Sequence, residues 1–279
     1  MTFTEQRVSR AFLAVPQAEK ALFARNFIRQ AVCELRFPTL FDLEGAKPPP
    51  SFAQALRKEY PHLNVVNSIN LAPGQLSSTA NSHTFRSKDH KWTITLRSAA
   101  VVLETSHYSS FSEFRDRLEF LLKAAEKVID SDFFTRIGLR YINTVPYTRE
   151  AIGKWINPAL VGPLMEGIYG DPIEYAGRVI GLTEVGGFLF QHGVANQLNR
   201  QQSIGDLGIG QGQIPNYEAP IQLEYSLDFD LYAEDVQLVD AIKTVNRLHD
   251  LEYSFFYWAL GPEAKNDLGP SKLKGESVA

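Results

Sequence analysis

Apolar and polar residues alternate with a period of two along the segment 133–145, FFTRIGLRYINTV, near the middle of the chain. Such alternation, with aromatic and β-branched side chains, is typical of a β-strand that buries one face. The other face carries Arg136 and Arg140, with Gly138 between them. The apolar face is formed by Ile137, Leu139, Tyr141, Asn143 and Val145. We therefore expect this strand to pack one face on a core and to present two arginines on the other.

Similar patterns predict further strands on both sides of this segment. Gly186-Gly187 is a strong hairpin-turn signal between two of them. The polar stretch 64–82 lacks a clear apolar pattern, and we expect a mobile loop there. The predicted strands are Ile28–Phe37, His83–Ser87, Lys91–Arg97, Val101–His107, Arg178–Val185, Phe188–Val194, Asn196–Ile204 and Ile221–Tyr232.

Two long segments have the apolar spacing of amphipathic helices, Phe111–Ile129 and Asp235–Leu260. The first is preceded by Ser110 and followed three residues later by Glu113, which is a capping box. In the second, the helical period places either Leu251 or Glu252 on the inward face. Shorter helices are predicted at Phe52–Tyr60 (with Ser51 as its N-cap), Ala151–Trp155 and Pro158–Met165, and a weaker helical pattern covers Ala11–Phe27.

The order of elements is similar in the two halves of the chain: a strand, a helix, three or four strands and a long helix. This order predicts an α+β fold, rich in antiparallel sheet, built from two side-by-side helix-grip-like units of β-α-β3/4-α type. Both long helices would lie on one face of a curved sheet and leave a concave, partly polar face. The strand order, and which face is covered, stay open. The predicted parts of this single structural domain are an N-terminal extension (1–27), a first unit (28–132), a second unit (133–269) and a flexible tail (270–279).

Composition excludes some classes of protein and favours others. The net charge of −4 is unlike that of a protein whose main task is to wrap nucleic acid, because phosphate binding needs a basic surplus. Cys33 is the single cysteine, so neither an intrachain disulfide nor a cysteine metal cluster is expected. The sequence has no apolar run near the ~18 residues of a membrane span, and its first residues lack the apolar core of a signal peptide. We expect a cytoplasmic protein with no membrane association.

Four arginines on predicted strands, Arg86, Arg97, Arg136 and Arg140, are the candidate ligand-binding residues. If their faces coincide, they form a basic patch on an acidic protein. The planar guanidinium group binds carboxylate or phosphate through two parallel hydrogen bonds. In the alternative interpretation they are surface residues paired across strands with Glu34, Glu104 or Glu184.

Other residue groups give weaker indications. The glycine-rich segment Gly205–Gly212 could form an anion-binding nest, but it lacks the Lys and Ser/Thr of a P-loop; a flexible hairpin or lid is the alternative. Glu224, Asp228 and Asp230 line one face of a strand and could hold a hard cation, although no further ligands converge on them. The six histidines show no metal-binding spacing, and no nucleophile elbow occurs. We predict no metal and no cofactor, and the sequence identifies no catalytic residues.

Four blocks of the sequence are similar to a known family. They are AVCELRFP (31–38), FRSKDHKWTITL (85–96), VVLETSHYSSFSEFRDRLEFLL (101–122) and RIGLRYIN (136–143). Over residues 26–260 the chain resembles a family of sporadically distributed prokaryotic proteins of about this size. The resemblance implies no activity, substrate or catalytic residue, because none is assigned to that family. Its patchy distribution would suit an exchanged accessory or defence-type gene.

Three functional hypotheses follow, and the sequence leaves open whether the protein is an enzyme. The favoured hypothesis is a non-enzymatic binding protein that uses the concave sheet face for an anionic small ligand or a protein partner. The second, less favoured hypothesis is a nucleic-acid-binding module on the same face, which would require a continuous basic stripe. The third is an enzyme without a recognisable motif, which would require a cleft with convergent titratable groups.

Overall fold

The computed structural model describes residues 12–72, 75–170, 172, 174–195 and 223–271. Its strands are β1 (Leu22–Phe23), β2 (Ile28–Arg36), β3 (His62–Ala72), β4 (Gln75–Arg86), β5 (Trp92–Arg97), β6 (Ala100–Thr105), β7 (Phe133–Tyr147), β8 (Tyr175–Leu182), β9 (Gly187–Ala195), β10 (Leu223–Gln237) and β11 (Pro270–Ser271). Its helices are α1 (Pro50–Leu56), α2 (Phe111–Ile129), α3 (Ile152–Trp155), α4 (Pro158–Met165), α5 (Ala241–Ala259) and α6 (Pro262–Asp267). Short 3-10 turns lie at Phe41–Glu44, Arg149–Ala151 and Leu238–Asp240.

Nine of these strands form one open antiparallel sheet in the order β3-β4-β5-β6-β2-β7-β10-β9-β8. The strands β2 and β7 are neighbours near its centre, and β7 is the strand 133–145 predicted from the alternation. On each side of this pair the strands run outward in reverse chain order. This order is the one expected for two units side by side, with the first strand of each unit, β2 or β7, at the contact between them. The α+β antiparallel architecture predicted from the sequence is therefore confirmed.

The two long helices α2 and α5 pack on the same face of the sheet. Phe114 of α2 contacts Trp92 of β5, with ring centroids 5.8 Å apart. Phe255 of α5 lies 4.6 Å from Phe229 of β10, measured in the same way. Apolar side chains at alternate positions of the strands meet the apolar faces of both helices, and their removal from water drives this packing. We call the opposite face of the sheet the open face.

The alternation in β7 sorts its residues as predicted. Ile137, Leu139 and Val145 are fully buried beneath the helices. Asn143 is also buried there, and its side-chain amide donates to the backbone oxygen of Leu227 at 3.3 Å. This bond satisfies the Nδ2 group of Asn143, whereas its buried Oδ1 has no hydrogen-bond partner among the described residues. Arg136 and Arg140 project from the open face.

The prediction of a mobile loop at 64–82 was wrong. The backbone forms the hairpin β3–β4, with a register irregularity between Asn67 and Ile69. Strand β4 pairs with β5, and β3 forms the edge of the sheet. Backbone pairing stabilises an edge hairpin even when its residues are polar, because the ladder hydrogen bonds do not depend on side-chain type.

The predicted boundary between Ile221–Tyr232 and the helix Asp235–Leu260 was also wrong. Strand β10 continues to Gln237, and α5 begins only at Ala241. Asp235 lies in the left-handed region with φ of 53°, yet Val236 resumes pairing with Phe134. The positive φ of Asp235 is a local irregularity inside a long strand that continues beyond it. The sequence analysis had interpreted this acidic residue as the start of the helix.

The ends of the described chain lie against the main sheet and α5. Residues 12–21, which were expected to be helical, have no regular structure, and the backbone N–H of Ala18 bonds to Ser254 of α5 at 3.4 Å. Pro16 disfavours a helix here. The strand β1 pairs with β11, so part of the predicted extension and part of the predicted tail form a small two-stranded sheet. The predicted strand Asn196–Ile204 and the loop Gly205–Gly212 lie outside the described residues.

Replacing Ser110 by alanine should lower the free energy of unfolding by about 1 kcal/mol, because its hydroxyl caps α2. The Ser110 oxygen accepts the backbone N–H of Glu113 at 3.2 Å. Ser51 is the matched control: contrary to the sequence prediction, α1 begins at Pro50 and has no side-chain cap. Urea unfolding of S110A and S51A checks this, and an equal loss in both variants would contradict the capping role.

Candidate functional site

All four predicted arginines project from the open face, but they fall in two rows that run across the strands. One row holds Arg86 of β4 and Arg140 of β7, which are four strands and therefore roughly 19 Å apart. The other row holds Arg97 of β5 and Arg136 of β7. The register adds one arginine that the sequence analysis missed: Arg36 of β2 lies directly opposite Arg136.

Arg140 is bound to a buried carboxylate on the neighbouring strand. Its Nε and Nη2 donate to Oδ1 and Oδ2 of Asp228 at 2.8 and 2.6 Å, which is a bidentate pair. Only 3% of the Asp228 side chain is exposed. The hydrogen bonds to Asp228 raise the pKa of Arg140. Arg140 therefore serves first as the counter-charge of Asp228.

Arg136 is held between two carboxylates. Its Nη1 donates to Glu34 on β2 at 3.3 Å, and its Nη2 donates to both oxygens of Asp230 on β10 at 3.2 and 3.3 Å. Its guanidinium also lies 4.5 Å from the ring centre of Tyr232. Burial raises the pKa of Asp230, while the positive charges of Arg136 and Arg140 oppose that rise.

Gly138 leaves space for the Arg136 guanidinium. A Cβ atom at Gly138 would lie 3.3 Å from Nη1 of Arg136, which is tighter than ordinary van der Waals contact. The sequence analysis expected this glycine to leave room for the close approach of a ligand. Arg136 fills that room, because its side chain runs along the strand over Gly138 to reach Asp230.

Glu34 connects the arginines of the second row. Its Oε1 accepts from Nε of Arg36 at 2.5 Å and from Arg136, and its Oε2 lies 3.8 Å from Nη1 of Arg97. One carboxylate thus faces three guanidinium groups. Each of these groups has five N–H donors, so a single carboxylate cannot satisfy all of them.

Exposure divides the arginines into an inner and an outer pair. The inner pair, Arg136 and Arg140, has side chains 20% and 33% exposed. The outer pair, Arg36 and Arg97, has side chains 53% and 56% exposed. Ala100 lies between the outer arginines in the register and is 6% exposed. The outer pair therefore flanks the small side chain of Ala100, and we call this part of the open face the Arg36–Arg97 notch.

The carboxylate row does not have the geometry of a metal site. Asp228 and Asp230 bind the inner arginines, and Glu224 lies 3.6 Å from Arg29. Among the described residues, no three His, Cys, Asp or Glu side chains are grouped so that they could hold a metal ion. The alternative interpretation, in which the arginines pair with carboxylates across strands, thus holds for Glu34. Asp228 and Asp230, which that interpretation did not name, are the other carboxylate partners of the arginines.

Two shallow clefts of about 300 and 310 Å³ lie away from the notch. In the cleft of about 310 Å³, Arg117 donates to the Tyr60 hydroxyl at 3.3 Å, and its Cζ lies 4.5 Å from the ring centre of Trp92. The charge of Arg117 is therefore already compensated by neighbouring protein groups. The first is lined by Glu184, Val185, Ala233, Glu234, Asp235, Val236, Gln237, Asp240, Lys243, Thr244 and Arg247. The second is lined by Glu59, Tyr60, Glu113, Asp116, Arg117 and Phe120.

Comparison with known proteins leaves the site to be interpreted from its own geometry. No protein-family profile matches the chain, and no curated protein is significantly similar to it. In the part of the chain that the structure describes, no helix combines the length and apolar character needed to cross a bilayer.

Proposed function

We propose that this protein is a non-enzymatic binding protein whose open face holds a carboxylate or phosphate group in the Arg36–Arg97 notch. A small anionic ligand or an anionic side chain of a protein partner can supply that group. The observation that carries the proposal is the exposure of two guanidinium groups that share Glu34, the same carboxylate, across a small alanine side chain. In this proposal Arg136 fixes Glu34 in place, and Arg140 supports the site through its pair with Asp228.

Energetic reasoning favours the outer pair as the contact point. An anion that displaced Asp228 from Arg140 would leave a buried carboxylate without its partner, at a cost of several kcal/mol. Arg36 and Arg97 keep donors that face solvent, and exposed ion pairs such as theirs with Glu34 contribute only about 0–1 kcal/mol. An incoming anion can therefore bind them with little loss.

The charge distribution favours a compact anion over a nucleic acid. The arginines of the two pairs are interleaved with three carboxylates, so the open face carries no unbroken basic stripe there. Nucleic-acid binding derives most of its affinity from several phosphate contacts in a row. The carboxylates that break the basic surface are Glu34, Asp228 and Asp230.

Titration calorimetry at low salt with citrate, inorganic phosphate and a single-stranded oligonucleotide tests the proposal. We expect citrate or phosphate to bind the wild-type protein, and R36A/R97A to lose at least about tenfold in affinity, since two charge-assisted contacts disappear. E34Q should bind more tightly, because it removes the competing negative charge and keeps a hydrogen-bond acceptor. The variant R115A, on the surface of α2, should bind like the wild type.

Two outcomes would contradict the proposal. One is the absence of binding by either small anion to wild type and to E34Q. The other is tight binding of the oligonucleotide with a steep salt dependence, which would favour the nucleic-acid alternative. Tighter binding of a phosphopeptide or an acidic peptide than of the free anions would place the anionic group on a protein partner.

Two further parts of the proposal concern origin and compartment. We place the protein in the cytoplasm, supported by its buried, unpaired Cys33. We also treat the two halves as an internal duplication within the sporadically distributed prokaryotic family, supported by the reverse strand order on the two sides of β2 and β7.

A further inference from the structure

Beneath the central strands lies a buried acid whose carboxyl oxygens have no hydrogen bond of regular geometry to any described residue. Glu252 of α5 points toward the sheet and is 0% exposed. Burial raises the pKa of Glu252, and an interaction of its carboxyl with the backbone of Leu231 opposes that rise without making a bond of regular geometry. An ionised carboxylate in such a place costs several kcal/mol unless a cation or several donors compensate it.

None of the described groups that act on Glu252 carries a positive charge. From β2 it faces the thiol of Cys33, from β7 the phenol of Tyr141, and from the segment before α2 the phenol of Tyr108; burial, and then the charge on Glu252, raise the pKa of Cys33. From β10 the carboxylates Asp230 and Asp228 act on it through the sheet. Burial, followed by these two negative charges, raises the pKa of Glu252 well above its ordinary value.

One turn earlier on the same helix, His249 joins the two long helices to the sheet. Its ring stacks on Phe111 of α2 with centroids 3.7 Å apart, and its Nδ1 lies 3.2 Å from the Tyr141 hydroxyl. Burial lowers the pKa of His249 to about 4, so the ring is neutral near pH 7. Lys20 and Asp250, which face it from the outer side, form an ion pair with each other at 2.7 Å.

We propose that Glu252 is a pH-sensitive latch: α5 stays docked on the sheet while Glu252 carries its proton, and docking weakens when the proton leaves. The geometry that supports this is a fully buried carboxyl at the contact between α5 and the central strands, with neither a counter-charge nor a hydrogen bond of regular geometry among the described residues. This inference does not rest on the proposed anion binding. It concerns the helix behind β10, the strand that holds Asp228 and Asp230 in place.

The sign of the pH dependence follows from proton linkage. A glutamate in the unfolded chain titrates at about pH 4.3. Below that pH both states hold the proton, and the stability is fully present. As the pH rises above it, only the unfolded state loses the proton, so the unfolding constant grows about tenfold per pH unit until the folded protein also ionises.

Three histidines, His83 in the core and the half-buried His192 and His249, act in the opposite direction and must be separated from this effect. Burial lowers the pKa of His83, His192 and His249, so each costs stability as the pH falls below about 6.5. The ratio of unfolding constants between the wild-type protein and E252Q removes their contribution, because both proteins contain the same histidines.

The test is urea unfolding of the full chain from pH 5 to pH 9, for wild type and E252Q. We expect the wild-type unfolding constant to rise relative to E252Q by up to about tenfold per pH unit until it levels off. The variant E119Q, at an exposed position of α2, should follow the wild type at every pH. A wild-type to E252Q ratio that stays constant from pH 5 to pH 9 would overturn the proposal.

Two further measurements keep the proposal falsifiable if E252Q does not fold. Infrared spectra of protein with ¹³C-labelled glutamate carboxyls should show a protonated glutamic acid at pH 7, and the absence of that band would overturn the proposal. Hydrogen exchange, corrected for intrinsic rates, should show α5 losing protection relative to α2 as the pH rises. Equal loss in the two helices would indicate global unfolding and would overturn the latch.

Discussion

Replacing Arg140 by methionine is expected to lower the free energy of unfolding by about 3–5 kcal/mol, because Asp228 would remain buried without its counter-charge. Asp228 is 2% exposed, and both of its oxygens bind Arg140. Methionine keeps much of the apolar stem of arginine and removes the charge and the donors. Urea denaturation at neutral pH gives the difference in free energy directly.

The double variant R140M/D228L distinguishes the cost of leaving one charge unpaired from the cost of losing the whole ion pair. Removing both charges leaves no unpaired ion, so most of the stability lost in R140M should return. R86M is the matched control: Arg86 lies in the same row of the open face but is exposed, and its replacement should change stability by no more than about 0.5 kcal/mol. A cost below about 1 kcal/mol in R140M would contradict the internal pairing and return Arg140 to the candidates for direct anion contact.

Replacing Phe255 by alanine is expected to cost about 3–5 kcal/mol, because the side chain anchors α5 to the second half of the sheet. Phe255 is 5% exposed, and its ring lies 4.6 Å from Phe229 and 4.8 Å from Phe190, between ring centroids. Truncation to alanine would remove these contacts and leave a cavity where the surrounding rings cannot collapse.

Val239 provides the control for Phe255. It precedes α5 in a 3-10 turn and is 91% exposed, so V239A should change the free energy of unfolding by about 0.5 kcal/mol or less. Thermal and urea unfolding of both variants check the difference. If F255A were as stable as V239A, the docking of α5 through this aromatic cluster would be refuted.

Sequence reasoning predicts correctly the features that depend on the local period of apolar and polar residues. The alternation in β7 places Leu139 inside and Arg140 outside, because successive residues of a strand point to opposite faces. Whether the four predicted arginines share a face stayed open in the sequence analysis, and the register between strands places them all on the open face. The capping box at Ser110 gives the start of α2 correctly, since the cap is made within three residues of the chain.

What the sequence could not give depends on distant parts of the chain. Arg140 and Asp228 are 88 positions apart, and only the register between β7 and β10 brings them together. Arg36 was missed as a site residue for the same reason, although its place two residues after Glu34 put it on the right face. Glu252 shows a different limit: the helical period allowed it to point inward, but a charged residue is normally assigned to solvent.

The measurement that tests the central claim most directly is NMR of the arginine Nε–Hε groups while citrate or inorganic phosphate is added. If the Arg36–Arg97 notch holds the anion, the signals of Arg36 and Arg97 will shift and saturate together, while those of Arg140 and Arg115 stay in place. The Arg140 signal should stay because its donors already bind Asp228. Saturable shifts at Arg140 alone, or no saturable shift at Arg36 and Arg97 with either anion, would contradict the account.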